Sequence, residues 1–242
     1  MLDHFFDYLH FSFSADDPII LIILVILESV LSADNAVALA AIAKGLEDDK
    51  LEQEALNFGL VIAYVLRIAL LLTATWVQQF WQFEVLGGAY LLWLVFQHFT
   101  SQEEENKEEN REPRFKSLWQ AIPVIAFTDL AFSLDSVTTA IAVSPETWLV
   151  ITGTTIGIVA LRYMAGLFIR WLDEYEHLAD AAYITVGFVG LRLIVKVINE
   201  NLVPPQWVII TAIAMMFVWG FSKRTQVELP VTEEVEKTEV QK

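Results

Sequence analysis

The chain has 242 residues, of which 55% are hydrophobic and none is cysteine, and its formal net charge is −16. The lack of cysteine excludes a disulfide framework, a thiolate metal site and a cysteine nucleophile. With 15 lysines and arginines against 31 aspartates and glutamates, the composition also disfavours nucleic-acid binding. The acidic clusters alternate with long apolar runs, a pattern that indicates a polytopic protein of the lipid bilayer.

Seven apolar segments are long enough, or nearly so, to cross the ~30 Å hydrocarbon layer as helices. Stretches such as Pro18–Leu27 lack the polar face that a helix in a soluble core would carry. The predicted fold class is therefore all-α, a polytopic membrane protein with seven transmembrane helices. The segments are 18–43, 56–77, 83–99, 118–143, 147–169, 181–198 and 206–222.

The loop charges predict the orientation of these segments. If the segments alternate in direction, every lysine and arginine of the loops and the C-terminal tail falls on one side. The positive-inside rule then places the N-terminus outside and the C-terminus in the cytoplasm. We expect the plasma (inner) membrane as the location. The remaining sequence predicts an extracytoplasmic segment at 1–17, an acidic cytoplasmic loop at 100–117 and a disordered cytoplasmic tail at 223–242.

An internal similarity relates the two halves of the chain. The pattern acidic-x3-Ser-x-Asp-(Asn or Ser) occurs at 28–35 and again at 129–136, at matching places in long apolar segments. Three spans per repeat is an odd number, so the second copy must be inverted in the membrane. We therefore predict two inverted three-helix repeats, at 18–99 and 118–198, followed by one extra helix within 199–222. Secondary transporters of this plan bind their substrate near the midplane, between the repeats.

Eight ionisable side chains are predicted inside the spans, where each is unfavourable by roughly 2.5–3.5 kcal/mol on insertion scales. Four are acidic and four are basic, so we expect them to pair within the bundle. For the mid-helix arginines, a role as counter-charge of a site and a role as helix–helix anchor both remain open. The eight are Glu28, Asp34, Asp129, Asp135, Arg67, Arg162, Arg192 and Lys196.

The polar groups near the predicted midplane are all oxygen donors. Such hard donors suit Mn²⁺, Mg²⁺, Ca²⁺ or a proton, and they disfavour Zn²⁺ and Cu⁺. The duplicated acids therefore predict an ion or proton site, with permanent salt bridges as the structural alternative. Because the spans contain no Ser/His, Cys/His or metal–His constellation, we predict no enzymatic activity and no resident cofactor. Besides the four carboxylates, the donors are Asn35, Ser32, Thr128, Ser133, Ser136, Thr138 and Thr139.

The spacing of the acids bears on the shape of the two helices. Glu28 and Asp34 lie about 120° apart around a regular helix and ~9 Å apart along it, as do the acids of the second motif. Either each helix breaks at its motif, or the two acids of a motif face different partners. Pro123 favours a distortion in the fourth span, whereas the first span has no internal proline.

The paired motifs, Glu28-Ser-x-Leu-Ser-x-Asp34-Asn35-Ala and Asp129-x-x-Phe-x-x-Asp135-Ser136-Val, resemble those of the TerC family of integral membrane proteins, and the likeness extends over about 16–222. That family is named for tellurium resistance and includes Alx-type members associated with manganese export.

The resemblance implies a LysE-like, seven-helix transporter fold and Mn²⁺ efflux as the activity. It implies that the metal is held by Glu28, Asp34, Asn35, Asp129, Asp135 and Ser136. Family members of photosynthetic membranes resemble assembly factors instead. The alternative function is therefore a membrane-protein assembly or scaffold factor whose buried charges are structural.

Overall fold

In a computed structural model of the protein, residues 16–46, 48–105, 114–144, 146–199 and 202–224 are described, and helices account for most of them. The predicted N-terminal segment and tail lie almost wholly outside these residues, as does the middle of the acidic loop. The helices are α1 (Asp17–Leu31), α2 (Ala33–Ala43), α3 (Asp49–Leu72), α4 (Ala74–Val77), α5 (Trp81–Glu105), α6 (Leu118–Val143), α7 (Thr147–Glu174), α8 (Leu178–Ile198) and α9 (Gln206–Gly220).

The prediction of an all-helical membrane protein is confirmed. By length and composition α3, α6, α7 and α8 could each cross a bilayer, and α1 with α2 adds a fifth span if the bent pair counts as one. Apolar side chains on their outer faces are exposed, as a lipid environment requires; examples are Ile22 on α1 and Val61 on α3. All seven predicted segments are helical. However, α9 is apolar but shorter than a helix that spans the bilayer, and α5 does not meet the criteria of length and composition. Seven spans and the inversion of the repeats therefore remain predictions.

The first span breaks inside its acidic motif, whereas the fourth span does not. Helix α1 ends at Leu31, α2 begins at Ala33, and the two axes meet at 43° around Ser32. Helix α6 continues through its motif despite the distortion expected from Pro123. Pro123 lies near the start of α6, where the bond that it removes would have reached only Trp119 in the preceding turn. The helix therefore breaks within the first copy of the motif and not within the second.

Glycines allow two helix pairs to approach closely, α1 with α7 and α3 with α6. A Cβ atom added to Gly59 on α3 would lie 2.6 Å from Ile125 Cγ2, and one added to Gly153 on α7 would lie 3.0 Å from Leu24 Cβ. Leu24 and Ile125 each stand one helical turn before the first acid of a motif. In both pairs, the first helix of one predicted repeat thus packs on the second helix of the other.

Helix α2 lies in the middle of the bundle. Its residues from Asn35 to Ala43 are all buried, mostly alanines whose small side chains let α6, α7 and α8 surround it. Helix α5 packs along α8, and Gly88 and Gly190 face each other across that contact. The packing therefore encloses the short helix that carries Asp34.

We expect Gly59→Ala to lower the thermal unfolding midpoint of the purified protein. The new methyl group meets the stiff, β-branched Ile125, and such overpacking destabilises by about 1–3 kcal/mol, more than the ~1 kcal/mol that alanine gains in helix propensity. Gly187→Ala is the matched control, because its methyl group would lie 3.7 Å from Val95, an ordinary contact. Equal midpoints for the two variants would contradict the close α3–α6 packing.

Candidate ion-binding site

Three charged side chains from three helices meet in the interior of the bundle: Glu28 of α1, Arg67 of α3 and Asp129 of α6. The guanidinium of Arg67 is completely buried. It donates one hydrogen bond to Glu28 Oε1 through Nη1, and Nη2 lies 3.1 and 3.2 Å from the two carboxylate oxygens of Asp129. We name these three residues the central cluster. Because two carboxylates share one arginine, the formal charge of the central cluster is −1.

The motif serines complete the central cluster. Ser32 Oγ donates to Glu28 Oε1 at 3.3 Å. Ser133 Oγ donates to the main-chain oxygen of Asp129 at 2.7 Å and lies 3.4 Å from Asp129 Oδ2. Each serine follows its acid by one helical turn, which places hydroxyl and carboxylate on the same face. The repeated spacing thus gives each acid a hydroxyl neighbour.

Glycine also makes room for the buried carboxylate of Glu28. The backbone of Gly157 on α7 lies against the Glu28 side chain, and an added Cβ would be 2.9 Å from Glu28 Cβ and closer still to Cγ. Any larger residue at this position would displace Glu28 from Arg67. Because Gly157 has no side chain, it leaves room for the charged side chain of Glu28 between α1 and α7.

Arg162 lies outside the central cluster. Its Nε donates to Asn57 Oδ1 on α3 in an exposed setting, and it forms no ion pair within the described part of the chain. The glycine contacts explain this placement, because Arg67 follows Gly59 by the same number of residues as Leu161, not Arg162, follows Gly153. Leu161 is fully buried. The position equivalent to Arg67 is thus apolar, and one arginine serves both acids.

A second group of charges surrounds Asp135 of α6. Arg192 of α8 donates to Asp135 Oδ2, and Lys196 Nζ lies 2.8 Å from Glu84 Oε1 and 3.8 Å from Asp135 Oδ1. We name these four residues the outer cluster, since the orientation predicted from the loops places it towards the outside. Glu84 is not among the eight ionisable side chains predicted inside the spans, although it lies within the predicted span 83–99. A carboxylate there is as unfavourable in the bilayer as the other eight charges.

A cavity of about 510 Å³ adjoins the outer cluster. Glu84 and Lys196 line it together with Thr138, whose hydroxyl lies 3.4 Å from Gln78 Nε2. Thr138 also donates to the main-chain oxygen of Leu134 at 2.9 Å. Thr138 therefore belongs to the surroundings of the outer cluster rather than to the central cluster.

The other predicted ligands are dispersed. Asp34 lies in the first turn of α2, its carboxylate faces the backbone N–H of Asn35, and it has no ion pair among the residues that the structure describes. Ser136 donates to the main-chain oxygen of Ser133 at 3.5 Å. Thr128 is buried with its hydroxyl 3.2 Å from that of Tyr90. Within the described ranges, no group of three histidine, aspartate or glutamate residues is placed to hold a metal ion.

A third group of charges lies at the opposite end of the bundle, around Lys44 at the end of α2. Its Nζ lies 2.7 Å from Asp173 Oδ1, 3.3 Å from Glu52 Oε1 and 3.9 Å from Asp49 Oδ1. We name these four residues the inner cluster. Burial lowers the pKa of Lys44, but the hydrogen bond and charge of Asp173 and the charge of Glu52 outweigh it and raise the pKa above its usual value. Lys44 is therefore cationic at neutral pH.

The sequence comparisons agree with the membrane fold. The model of the integral membrane protein TerC family matches residues 13–227. The chain is similar to the uncharacterized membrane protein YceF of Bacillus subtilis, with 33% identity over 78% of this chain and 77% of that protein. It is 30% identical to the inner membrane protein YgdQ of Escherichia coli, over 68% of this chain and 76% of YgdQ.

A plant relative is more distant. The chain is 28% identical to the chloroplastic thylakoid membrane protein TERC of Arabidopsis thaliana, over 70% of this chain and 52% of that protein. No solved structure matches the protein.

We expect Arg67→Met to destabilise the protein strongly, because it leaves Glu28 and Asp129 buried without their cation. Removing one partner of a buried ion pair costs roughly 3–5 kcal/mol. The measurement is the yield of monodisperse protein together with its thermal unfolding midpoint. Adding Glu28→Gln and Asp129→Asn to Arg67→Met should recover much of the loss.

Arg162→Met is the matched control for this experiment. Among the described residues its guanidinium donates a hydrogen bond to the Asn57 amide in an exposed setting, so its removal should leave the midpoint nearly unchanged. An Arg67→Met protein as stable as Arg162→Met would show that the central acids do not depend on the arginine.

Proposed function

Because the chain belongs to the TerC family of integral membrane proteins, we propose that it exports a divalent cation, Mn²⁺ foremost, through the carboxylates of the central cluster. The observation that carries the proposal is the pair Glu28 and Asp129, two buried acids from separate helix pairs that share a single arginine. Each acid has a hydroxyl beside it, so the donor set around Arg67 is the hard-oxygen set that Mn²⁺ accepts.

The charge of the central cluster supports an exchange between metal and arginine. With Arg67 in place the central cluster carries a formal charge of −1. With Arg67 withdrawn and a divalent cation in its place, the two carboxylates and the cation are neutral together, and the guanidinium has to pair with another anionic group, because a buried charge without a partner is unfavourable. Entry of the cation would thus displace Arg67, and its departure would let Arg67 return between the carboxylates of the empty carrier.

Export needs a driving force. Moving a divalent cation out against a membrane potential is unfavourable by roughly 2.3 kcal/mol per charge per 100 mV. Countertransport of protons through the same carboxylates supplies that energy. In this scheme the protein is a transporter without enzymatic activity, with seven membrane spans arranged as two inverted three-span repeats and one extra span, its N-terminus outside and its C-terminus in the cytoplasm.

The other candidate function is that of an assembly or scaffold factor, for which the central cluster is a permanent link between α1, α3 and α6. The observation that favours it is the arginine already seated between the acids. If the protein is a scaffold, neutralising the acids should lower the amount of protein in the membrane. If it is a transporter, neutralising the acids should lower export per molecule of protein.

The test is manganese content in bacteria that lack their own exporters and express the protein in medium of high Mn²⁺. The wild type should lower cellular manganese. Asp129→Asn and Glu28→Gln should reduce export by more than about tenfold, since even outer partners of metal ligands contribute 10–100-fold in affinity. Glu176→Gln is the matched control, a half-exposed carboxylate paired with Lys223, and should behave as the wild type.

Protein abundance is measured in the same cells, so that export can be expressed per molecule. Asp34→Asn and Asp135→Asn extend the series to the acids outside the central cluster. Normal export per molecule in every variant, with a lower abundance, would overturn the transport proposal in favour of the scaffold.

A further inference from the structure

A groove runs along the surface of the bundle between α3 and α5. Its volume is about 510 Å³, and its walls are almost entirely apolar, with Leu66 and Ala69 from α3, Leu86 from α5 and Phe127 from α6. Leu86 and Phe127 are 66% and 55% exposed. The groove is therefore open to the hydrocarbon of the bilayer.

The groove adjoins the cavity beside the outer cluster. The linings of the two spaces share four apolar side chains, so a ligand with a polar part and an apolar part can occupy both. The cavity contributes the charged side chains of Glu84 and Lys196, whereas the groove contributes apolar surface. The shared side chains are Leu70, Val77, Phe83 and Leu134.

The two spaces lie at different depths in the bilayer. The groove extends from Thr73 to Leu66 along α3 and from Leu134 to Phe127 along α6, which is ~10 Å along a helix axis in each case. That length is about two thirds of one leaflet of the ~30 Å hydrocarbon layer. The cavity lies where α4 follows α3 and where α5 begins, at the ends of the predicted spans.

Aromatic side chains mark this end of the bundle as the level of the lipid headgroups. Trp76 and Trp81 are 55% and 58% exposed. The ring centroid of Trp76 lies 4.9 Å from that of Phe80 and 6.0 Å from that of Phe83. Tryptophan rings collect at the interface between hydrocarbon and water. The cavity is therefore at headgroup level, in the outer leaflet by the predicted orientation, and the groove is at the level of the acyl chains.

The cavity offers one accessible charge of each sign. Lys196 Nζ lies 2.8 Å from Glu84 Oε1, and the two side chains are 22% and 24% exposed. Because Arg192 is bound to Asp135, the outer cluster has no net formal charge.

This pair of charges is complementary to a headgroup that carries both a phosphate and a primary ammonium. The phosphate would accept hydrogen bonds from Lys196, and the ammonium would donate to Glu84. An acidic headgroup without an amine would face Glu84 as a like charge. A trimethylated ammonium has no hydrogen to donate to the carboxylate.

We propose that the groove and the cavity together bind one molecule of phosphatidylethanolamine, with an acyl chain in the groove and the headgroup between Glu84 and Lys196. The headgroup replaces one ion pair of the protein by two ion pairs between protein and lipid. Dispersion contacts hold the chain in the groove, because the surrounding lipid is as apolar as the groove itself. The inference is independent of the proposed transport, since it involves no residue of the central cluster.

The test is lipid binding to the purified, delipidated full-length protein, measured by native mass spectrometry. Three lipids with identical acyl chains are titrated separately: phosphatidylethanolamine, phosphatidylcholine and phosphatidylglycerol. Phosphatidylethanolamine should bind about tenfold more tightly than the other two, since a hydrogen bond to a charged group contributes on that order. Equal affinities for the three lipids would show only the general contact of a membrane protein with its bilayer and would overturn the proposal.

The decisive variant for the groove is Ala69→Phe. Ala69 is exposed on α3, so a ring can be added without overpacking the core, and it would occupy the space of the acyl chain. Phosphatidylethanolamine should bind at least about tenfold more weakly, because the contacts of several methylene groups are lost together. Ala214→Phe, at an exposed position of α9 that does not line the groove, is the matched control. Undiminished binding in Ala69→Phe would contradict the site.

Glu84→Gln tests the headgroup, since it keeps the shape of the side chain and removes the charge that accepts the ammonium. Its affinity for phosphatidylethanolamine should fall to that for phosphatidylcholine, and Glu176→Gln, which neutralises a carboxylate paired with Lys223, should keep the preference. A preference that survives in Glu84→Gln would refute the assignment of the headgroup. The comparison of lipids in the wild type and the Ala69→Phe variant leave the outer cluster intact, so they decide the proposal even if Glu84→Gln does not fold.

Discussion

The bundle is organised around one buried guanidinium that must satisfy two carboxylates on different helices. An uncompensated charge in the interior of a membrane protein is too unfavourable to persist, so α1, α3 and α6 have to bring Glu28, Arg67 and Asp129 together. That requirement explains the close contacts, because only glycine at positions 59, 153 and 157 lets the helices approach and admits the stem of Glu28. Packing and electrostatics therefore impose the same arrangement.

This arrangement is not the one that stability alone would favour. Well-packed apolar residues of similar volume often replace a buried ion cluster at no loss of stability. The central cluster in addition leaves Arg67 Nε buried without a hydrogen-bond partner and leaves one negative charge in excess. The excess negative charge is the feature of the central cluster on which the proposed exchange of ions rests.

The sequence predicted the structure correctly where a local pattern determines it. It did not predict the positions of side chains that depend on how the helices pack. Helix α6 has the predicted bounds, because Ser117 caps its first turn and the apolar run ends at Val143. The spacing of acid and serine likewise gave each acid its hydroxyl. Arg162 looked equivalent to Arg67 because both lie in the middle of a helix, but the register of Gly153 against Leu24 turns it away from the cluster.

The break at Ser32 gives the two copies of the motif different mechanical properties. In α6 a continuous helix fixes Asp135 at ~9 Å along the axis from Asp129. In the first copy the bend lies between Glu28 and Asp34, so any change of the angle between α1 and α2 moves Asp34 relative to the central cluster. Lys44 directly follows the last residue of α2, so the same rotation would displace the cation of the inner cluster. The bend within the first motif thus lies between the central cluster and the helix that ends beside the inner cluster, whereas α6 is continuous through the second motif.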